Sequence, residues 1–395
     1  MLRGLRVLVF LVVSAGAHFL AARWLLSVSP SARRRRGVVL GIAGCLSLVL
    51  AALRILGWWF RGTLFRDVLA IAMVELAVVV LSLAPLGVLA AASRMVSRAF
   101  DAVRPVRDDT AKQSRISRRE AIEQAAGLSV AATTTLALGW GVVRGRHSFE
   151  VEEVPIKVAG WPRALDGYVI AQVSDIHVGA FVGDRELDEG FELVRRVRPD
   201  LVVATGDLVD NEADAIRPLI ARLLGTGARD GAFTILGNHD HYAGAATVAA
   251  LIGRSSVRVL HNEGVHIRRN EGGGFALLGV VDLSGSLRRS PGHDGPDLGQ
   301  AAAGLSPDLP RILLAHQPRF FYESQGRIAL QLSGHTHGGQ INPGFRPAAA
   351  VMDFIAGRYD RAGSTLYVNR GFGVTGPPAR IAAPPEVTKI VIVSA

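Results

Sequence analysis

The stretch GYVIAQVSDIH, Gly167 to His177, is a β-rich run that ends abruptly on an aspartate and a histidine. The same arrangement recurs along the chain. DLVVAT (200–205) runs into Gly206-Asp207-Leu208-Val209-Asp210, and AFTIL (232–236) into Gly237-Asn238-His239-Asp240. RILLA (311–315) is followed by His316, and IALQL (328–332) by Ser333-Gly334-His335-Thr336-His337. FALLGVV (275–281), TLYVN (365–369) and TKIVIVS (388–394) add further strands. Between the first two strands Leu187, Phe191, Val194 and Val197 recur at helical spacing, and IRPLIARLLG (216–225) repeats the pattern before the third. Strand–helix–strand alternation predicts a layered α/β domain, taken here as residues 165–395 after a linker at 147–164. Ligands of α/β sheets collect at the carboxyl ends of strands, so the polar clusters are expected to converge on one pocket. If the backbone there is extended, residues i and i+2 face one way, which would aim Asp175 with His177, and His335 with His337, as pairs.

Composition narrows what that pocket holds. The single cysteine, Cys45, excludes an intramolecular disulfide and thiolate metal sites. Residues 1–149 carry 20 Lys and Arg against 7 Asp and Glu, a surplus of 13, whereas residues 150–395 carry 24 against 27. The basicity belongs to the first part, so no nucleic-acid face is expected on the second. The donors at the strand ends are carboxylates, one carboxamide and several imidazoles, a set that suits Mn, Fe, Zn or Co better than Ca or Mg. Two such ions would outweigh the local negative charge and leave a cationic centre that attracts phosphate oxygens.

The first 146 residues read as a membrane module. Four apolar runs, about 7–28, 37–57, 68–93 and 124–143, each approach the ~20 residues that cross a bilayer. Glu75 lies inside the third and is expected to pair within the bundle or to serve a relay. Arg33–Arg36 fill the first connecting loop; Arg94, Arg98, Arg104, Arg107, Lys112, Arg115, Arg118 and Arg119 fill the third. Basic loops stay cytoplasmic, which predicts a multi-pass cell-membrane protein with its C-terminal domain on the extracytoplasmic face. Ser117-Arg118-Arg119 before the fourth run has the look of an internal twin-arginine export signal, or of an ordinary basic flank.

The ordered set DIH, GDLVD, GNHD, His316 and GHTH resembles the calcineurin-like metallophosphoesterase family over essentially residues 165–395, and the tail from GHTHGGQ onward is similar to its membrane-associated bacterial branch. The resemblance implies an α/β/β/α sandwich holding two divalent metal ions. Asp175, His177, Asp207 and His337 would hold the first; Asp207, Asn238, His316 and His335 the second, with Asp207 bridging. It further implies that His239 assists the leaving group and that Asp240 orients His239. Asp210 is read as a loop-orienting carboxylate, His241 as a surface histidine, and Arg370 as a phosphate contact or structural ion pair. The expected function is a membrane-anchored phosphoesterase acting on an ester, diester or pyrophosphate, lipid-linked substrates included. A UDP-2,3-diacylglucosamine pyrophosphatase-like hydrolase is the alternative, and a membrane sensor with an auxiliary phosphoesterase domain ranks below it. The apolar stretch AAAVMDFIAG (348–357) is read as a core helix or as a membrane-facing or acyl-facing patch.

Overall fold

The computed structural model describes residues 2–56, 63–103, 118–179, 181–268, 273–284 and 295–395. Arg104, Arg107, Lys112, Arg115 and Ser117 of the basic loop, and residues 285–294 of the Gly/Pro/Ser-rich insertion, lie outside them. The chain divides into a helical unit, residues 1–140 with 376–378, and an α/β unit made of 141–375 and 379–395.

In the helical unit the apolar runs form α1 (Leu2–Val28), α2 (Arg36–Leu56), α3 (Thr63–Val103) and α4 (Arg118–Val143). All four are long and apolar enough to cross a membrane. Their polarity is inverted relative to a water-soluble bundle. Val12, Ile42, Ile71, Val88 and Leu136 point outward, while Ser14, His18, Ser47 and Ser82 are buried. His18 Nε2 lies 2.9 Å from Glu75 Oε1, and Ser47 Oγ donates to Ser14 Oγ at 3.2 Å. Glu75 thus meets a partner inside the bundle, where an isolated charge would be costly.

Among the described residues the α/β unit contains two six-stranded sheets. The first runs β1 (Glu150–Val158), β12 (Glu386–Ser394), β2 (Tyr168–Val173), β3 (Leu201–Thr205), β4 (Ala232–Ile235), β5 (Arg258–Val259). The second runs β10 (Gly357–Arg361), β11 (Ser364–Val368), β9 (Leu330–Ser333), β8 (Arg311–Leu314), β7 (Phe275–Gly279), β6 (Glu263–Ile267). The period of two along each strand sorts its side chains between layers. In β3, Leu201 and Val203 join Ile170, Ile235, Ile312 and Leu330 in the core between the sheets. Val202 and Ala204 point the other way, onto Leu187, Phe191 and Val194 of α5 (Asp184–Arg196) and Leu219 and Leu223 of α6 (Arg217–Leu224). Across the second sheet Leu278, Leu313 and Val368 pack on Phe320 and Phe321. The result is the expected α/β/β/α layering. Burying a side chain such as Phe191 contributes about 1.5–3 kcal/mol.

Two expectations need correction. Residues 147–164 are not a linker, because Glu150–Val158 forms β1 and pairs in parallel with β12, Glu150 opposite Glu386 through Val158 opposite Ser394. The glutamates and Pro155 disguised it, yet Val154, Ile156 and Val158 alternate inward; an edge strand tolerates both features. Residues 348–357 are not a core helix either: a short exposed 3₁₀ turn (Pro347–Ala350) leads to Phe354 and Ile355, which are buried, and then to β10.

Candidate metal centre

The parallel strands β2, β3, β4, β8 and β9 all end at the same side of the two sheets, and their following loops bring the sequence-selected residues together. They do so by leaving extended geometry. Asp175 (φ 50°), His177 (52°), Asp207 (51°), His335 (72°) and His337 (51°) all occupy the left-handed region. Simple strand alternation therefore does not explain why Asp175 and His177 converge. Each such residue costs about 1 kcal/mol or more, and strain of this kind is held where a site requires it. Backbone bonds from neighbouring loops enforce it: Asp175 N donates to the Gly206 carbonyl and His177 N to the Asp207 carbonyl, both at 3.0 Å. Gly334 is required for closeness, since a Cβ there would stand 1.9 Å from Ser174 Oγ and 2.2 Å from Asp175 Oδ2.

The donor atoms form two clusters. In the first, His177 Nε2 lies 3.1 Å from His337 Nε2, which is 3.6 Å from Asp175 Oδ1. In the second, His316 Nε2 lies 3.2 Å from His335 Nδ1 and 3.3 Å from Asn238 Oδ1. Asp207 Oδ2 is common to both, 3.6 Å from His177 Nε2 and 3.3 Å from His316 Nε2. Two ligands about 2.1 Å from one ion, subtending about 95–120°, are separated by about 3.1–3.6 Å. The spacings therefore fit a pair of ions sharing the Asp207 carboxylate.

Tautomers agree with that fit. His316 Nδ1 donates to the Thr205 carbonyl at 2.8 Å, leaving the Nε2 lone pair to face the cluster. Burial opposes charge on Asp207 and His316, but each compensates the other. His316 holds Asp207 well below the carboxylate range, and Asp207 lifts His316 well above its ordinary value. The pocket thus calls for positive charge beside Asp207. Burial, with His177 and Arg380 behind it, holds His337 well below the usual histidine range, as a neutral donor.

His239 stands at the rim rather than in either cluster, with its Nδ1 donating to the Asp210 carbonyl at 2.9 Å and lying 3.3 Å from Asp210 Oδ1. Burial would lower its pKa, but the Asp210 and Asp207 carboxylates push it up to about 9. Asp240 does not orient His239. Its carboxylate accepts from Leu208 N, Val209 N and Gly237 N, at 2.8–3.2 Å, and so clamps the Asp207 loop to the Asn238 loop. The reason is local: Asp240 is the third residue of the turn Asn238–Ala243, which directs its side chain back over Gly237. His241 is buried, not a surface residue.

Two residues of the surroundings, Arg380 and Asp282, carry no motif signal. Arg380, fully buried, donates to the carbonyls of Arg370, Gly371, Gly373 and Ala383 and stands 3.3 Å from His337 Nδ1. Asp282, at the end of FALLGVV, accepts from Gln317 Nε2 at 3.0 Å, next to His316. The position of Asp282 after a strand was the available signal. Arg370, in contrast, is a structural ion pair with Glu386 (2.5 Å), Glu150 and Glu152.

Known proteins share this sequence pattern. The sequence profile of the calcineurin-like phosphoesterases matches residues 168–339. A Bos taurus "Transmembrane protein with metallophosphoesterase domain" is 35% identical over 278 residues, 68% of this chain and 62% of that protein. The Bacillus subtilis "Uncharacterized metallophosphoesterase YkuE" is 32% identical over 287 residues, 69% of this chain and 96% of that protein. Among solved structures, a dimetal phosphatase from Danio rerio aligns with a TM-score of 0.37 at 14% identity, covering 52% of this chain and 88% of that one. The chain spans 62% of the length of the Bos taurus relative, and relatives occur in animals as well as bacteria. With donors, layers and sequence in accord, the chain belongs to the calcineurin-like metallophosphoesterase family, whose members are metal-dependent hydrolases of phosphoric esters.

Proposed function

We propose that this chain is a membrane-anchored, two-metal phosphoesterase. One observation carries the reading: the Asp207 carboxylate stands between two donor clusters, within 3.6 Å of His177 and 3.3 Å of His316. Asp175, His177, Asp207 and His337 would hold one divalent ion, and Asp207, Asn238, His316 and His335 the other. Bound there, the pair supplies Lewis acidity toward phosphoryl oxygens and a water of lowered pKa as nucleophile.

The remaining steps belong to the chain's own groups. The Asp210 carbonyl fixes the His239 ring, which leaves Nε2 directed away from that bond to hold a proton for the departing oxygen. The neighbouring carboxylates raise the pKa of that imidazole against its burial, and so favour its protonated form. Asp240 keeps the two loops in register, and the His239 backbone N–H donates to Asp207 Oδ1 at 2.7 Å, which orients the bridging carboxylate.

The substrate class is an ester, diester or pyrophosphate of phosphoric acid, and the four membrane-length helices favour a lipid-linked one. The module 1–146 is read as a multi-pass anchor with the catalytic domain extracytoplasmic. The test uses the full chain in detergent with bis-(p-nitrophenyl) phosphate and added Mn. Turnover that disappears with chelator and with Asp207→Asn, together with the metal content by elemental analysis, supports the reading. Undiminished turnover in Asp207→Asn sinks it. An alkaline-phosphatase fusion after Arg146 should be active; an inactive one would reverse the orientation.

A further inference from the structure

The loop that follows the GHTH corner has an unusual surface. From Pro343 to Val351 nearly every side chain is exposed, and most are apolar: Pro343, Phe345, Pro347, Ala349 and Val351. Phe345 is 66% and Val351 83% exposed, values that leave almost the whole side chain in contact with the surroundings. Contiguous exposed apolar surface of this kind marks an interaction site rather than an incidental residue. The only charged side chain in the segment is Arg346, and no acidic residue occurs between His337 and Met352.

This lip is built onto the metal-binding corner at both ends. On one side Asn342 Nδ2 donates to the Gly338 carbonyl at 3.0 Å. On the other, Thr336 Oγ1, between His335 and His337, donates to the Ile355 carbonyl at 2.5 Å. Between them Ala348 packs within 3.5 Å of where a Cβ on Gly339 would lie. Whatever the lip rests on is therefore held close to the two donor clusters.

The geometry points to a membrane-docking lip: Pro343–Val351 seats its apolar side chains at the boundary between headgroups and acyl chains, with Arg346 toward anionic lipid phosphates. A bilayer is the apolar phase at hand, because the same chain carries four helices of membrane-spanning length. Apolar residues flanking a cation, without acids, are the composition that an anionic lipid interface binds. Docking of this kind would present phosphate groups at the membrane surface to the centre formed by Asp207 and its neighbours. The inference rests on the membrane-anchored reading above.

The test places a single environment-sensitive fluorophore on the full chain. In a Cys45→Ala background, Val351→Cys, Phe345→Cys and, as a control on the exposed face of α5, Arg185→Cys are labelled and reconstituted into vesicles of phosphatidylglycerol and phosphatidylcholine. Probes at 351 and 345 should shift to the blue, lose most of their emission to nitroxide-labelled lipids, and resist iodide. The probe at 185 should show the reverse. Iodide quenching at 351 and 345 equal to that at 185 overturns the lip. A blue shift without lipid quenching overturns it too, since it means a protein surface covers the segment. A chain that washes off the vesicles at alkaline pH removes the membrane-anchored reading itself, and the lip falls with it. Retention without lipid quenching removes the lip alone.

Discussion

Asp210 and His239 form a pair across two loops, the histidine Nδ1–H directed at the aspartate's own carbonyl (2.9 Å) with the carboxylate oxygen 3.3 Å away. The two residues lie 29 positions apart along the chain, yet this contact sets which ring nitrogen faces the pocket.

If His239 protonates a leaving oxygen, the need for it grows with the basicity of that oxygen. His239→Ala should cost about 10²–10⁴-fold in kcat on an alkyl phosphodiester, and much less on a p-nitrophenyl ester, whose phenolate departs without a proton. Asp210→Asn should cost about 10–100-fold on the alkyl substrate. Metal content should stay at the parental level in both variants. Equal losses on the two substrates would remove His239 from the proton-transfer role.

Asp240 should behave as a structural residue. Asp240→Ala strips acceptors from three buried N–H groups, each worth about 1–3 kcal/mol when left unpaired. A clear drop in melting temperature and reduced metal retention are expected, with Asp240→Asn milder because one carbonyl oxygen remains. Wild-type stability in Asp240→Ala would contradict the clamp.

A methyl group at position 334 has no room beside Ser174 and Asp175. Gly334→Ala should displace Asp175 and reduce bound metal by about one ion per chain if each cluster of donors holds one ion, as proposed above. Gly183→Ala, at a φ of −126° and with Glu186 Oε2 at 3.8 Å the nearest atom to the added Cβ, is the control for losing a glycine without a clash. Elemental analysis of the two proteins after identical loading decides the matter.

Arg380→Lys should not rescue the site. A guanidinium spreads five donors in a plane and satisfies several carbonyls at once, whereas an ammonium has three on a point. We expect both Arg380→Lys and Arg380→Met to lower the thermal midpoint by the equivalent of at least about 2 kcal/mol, the scale of buried carbonyls left without donors. A lysine variant that melts with the parent would show that the charge alone suffices.

Much of this architecture was legible beforehand because its causes are local. Eight strands and two helices declared themselves through runs of two-fold and 3.6-fold periodicity, and the donor residues through their positions directly after strands. β1 escaped because glutamates and a proline on an edge strand imitate a linker, and its pairing partner lies more than two hundred residues away. The partner of His239 differs from expectation for a related reason. The family resemblance implies Asp240, but the turn that follows Gly237 rotates that carboxylate onto backbone N–H groups and leaves the histidine to Asp210.

Sequence by itself determined the layered class, the membrane-length helices and the inventory of candidate metal ligands, since apolar periodicity and residue chemistry are properties of short segments. Tertiary structure alone decided how the donor side chains group around Asp207, which carboxylate faces His239, that Arg380 braces the corner behind His337, and that Phe345 and Val351 stand bare beside it. Those outcomes depend on left-handed turns and on contacts between distant loops, and such energies exist only once the sheets have brought the loops together.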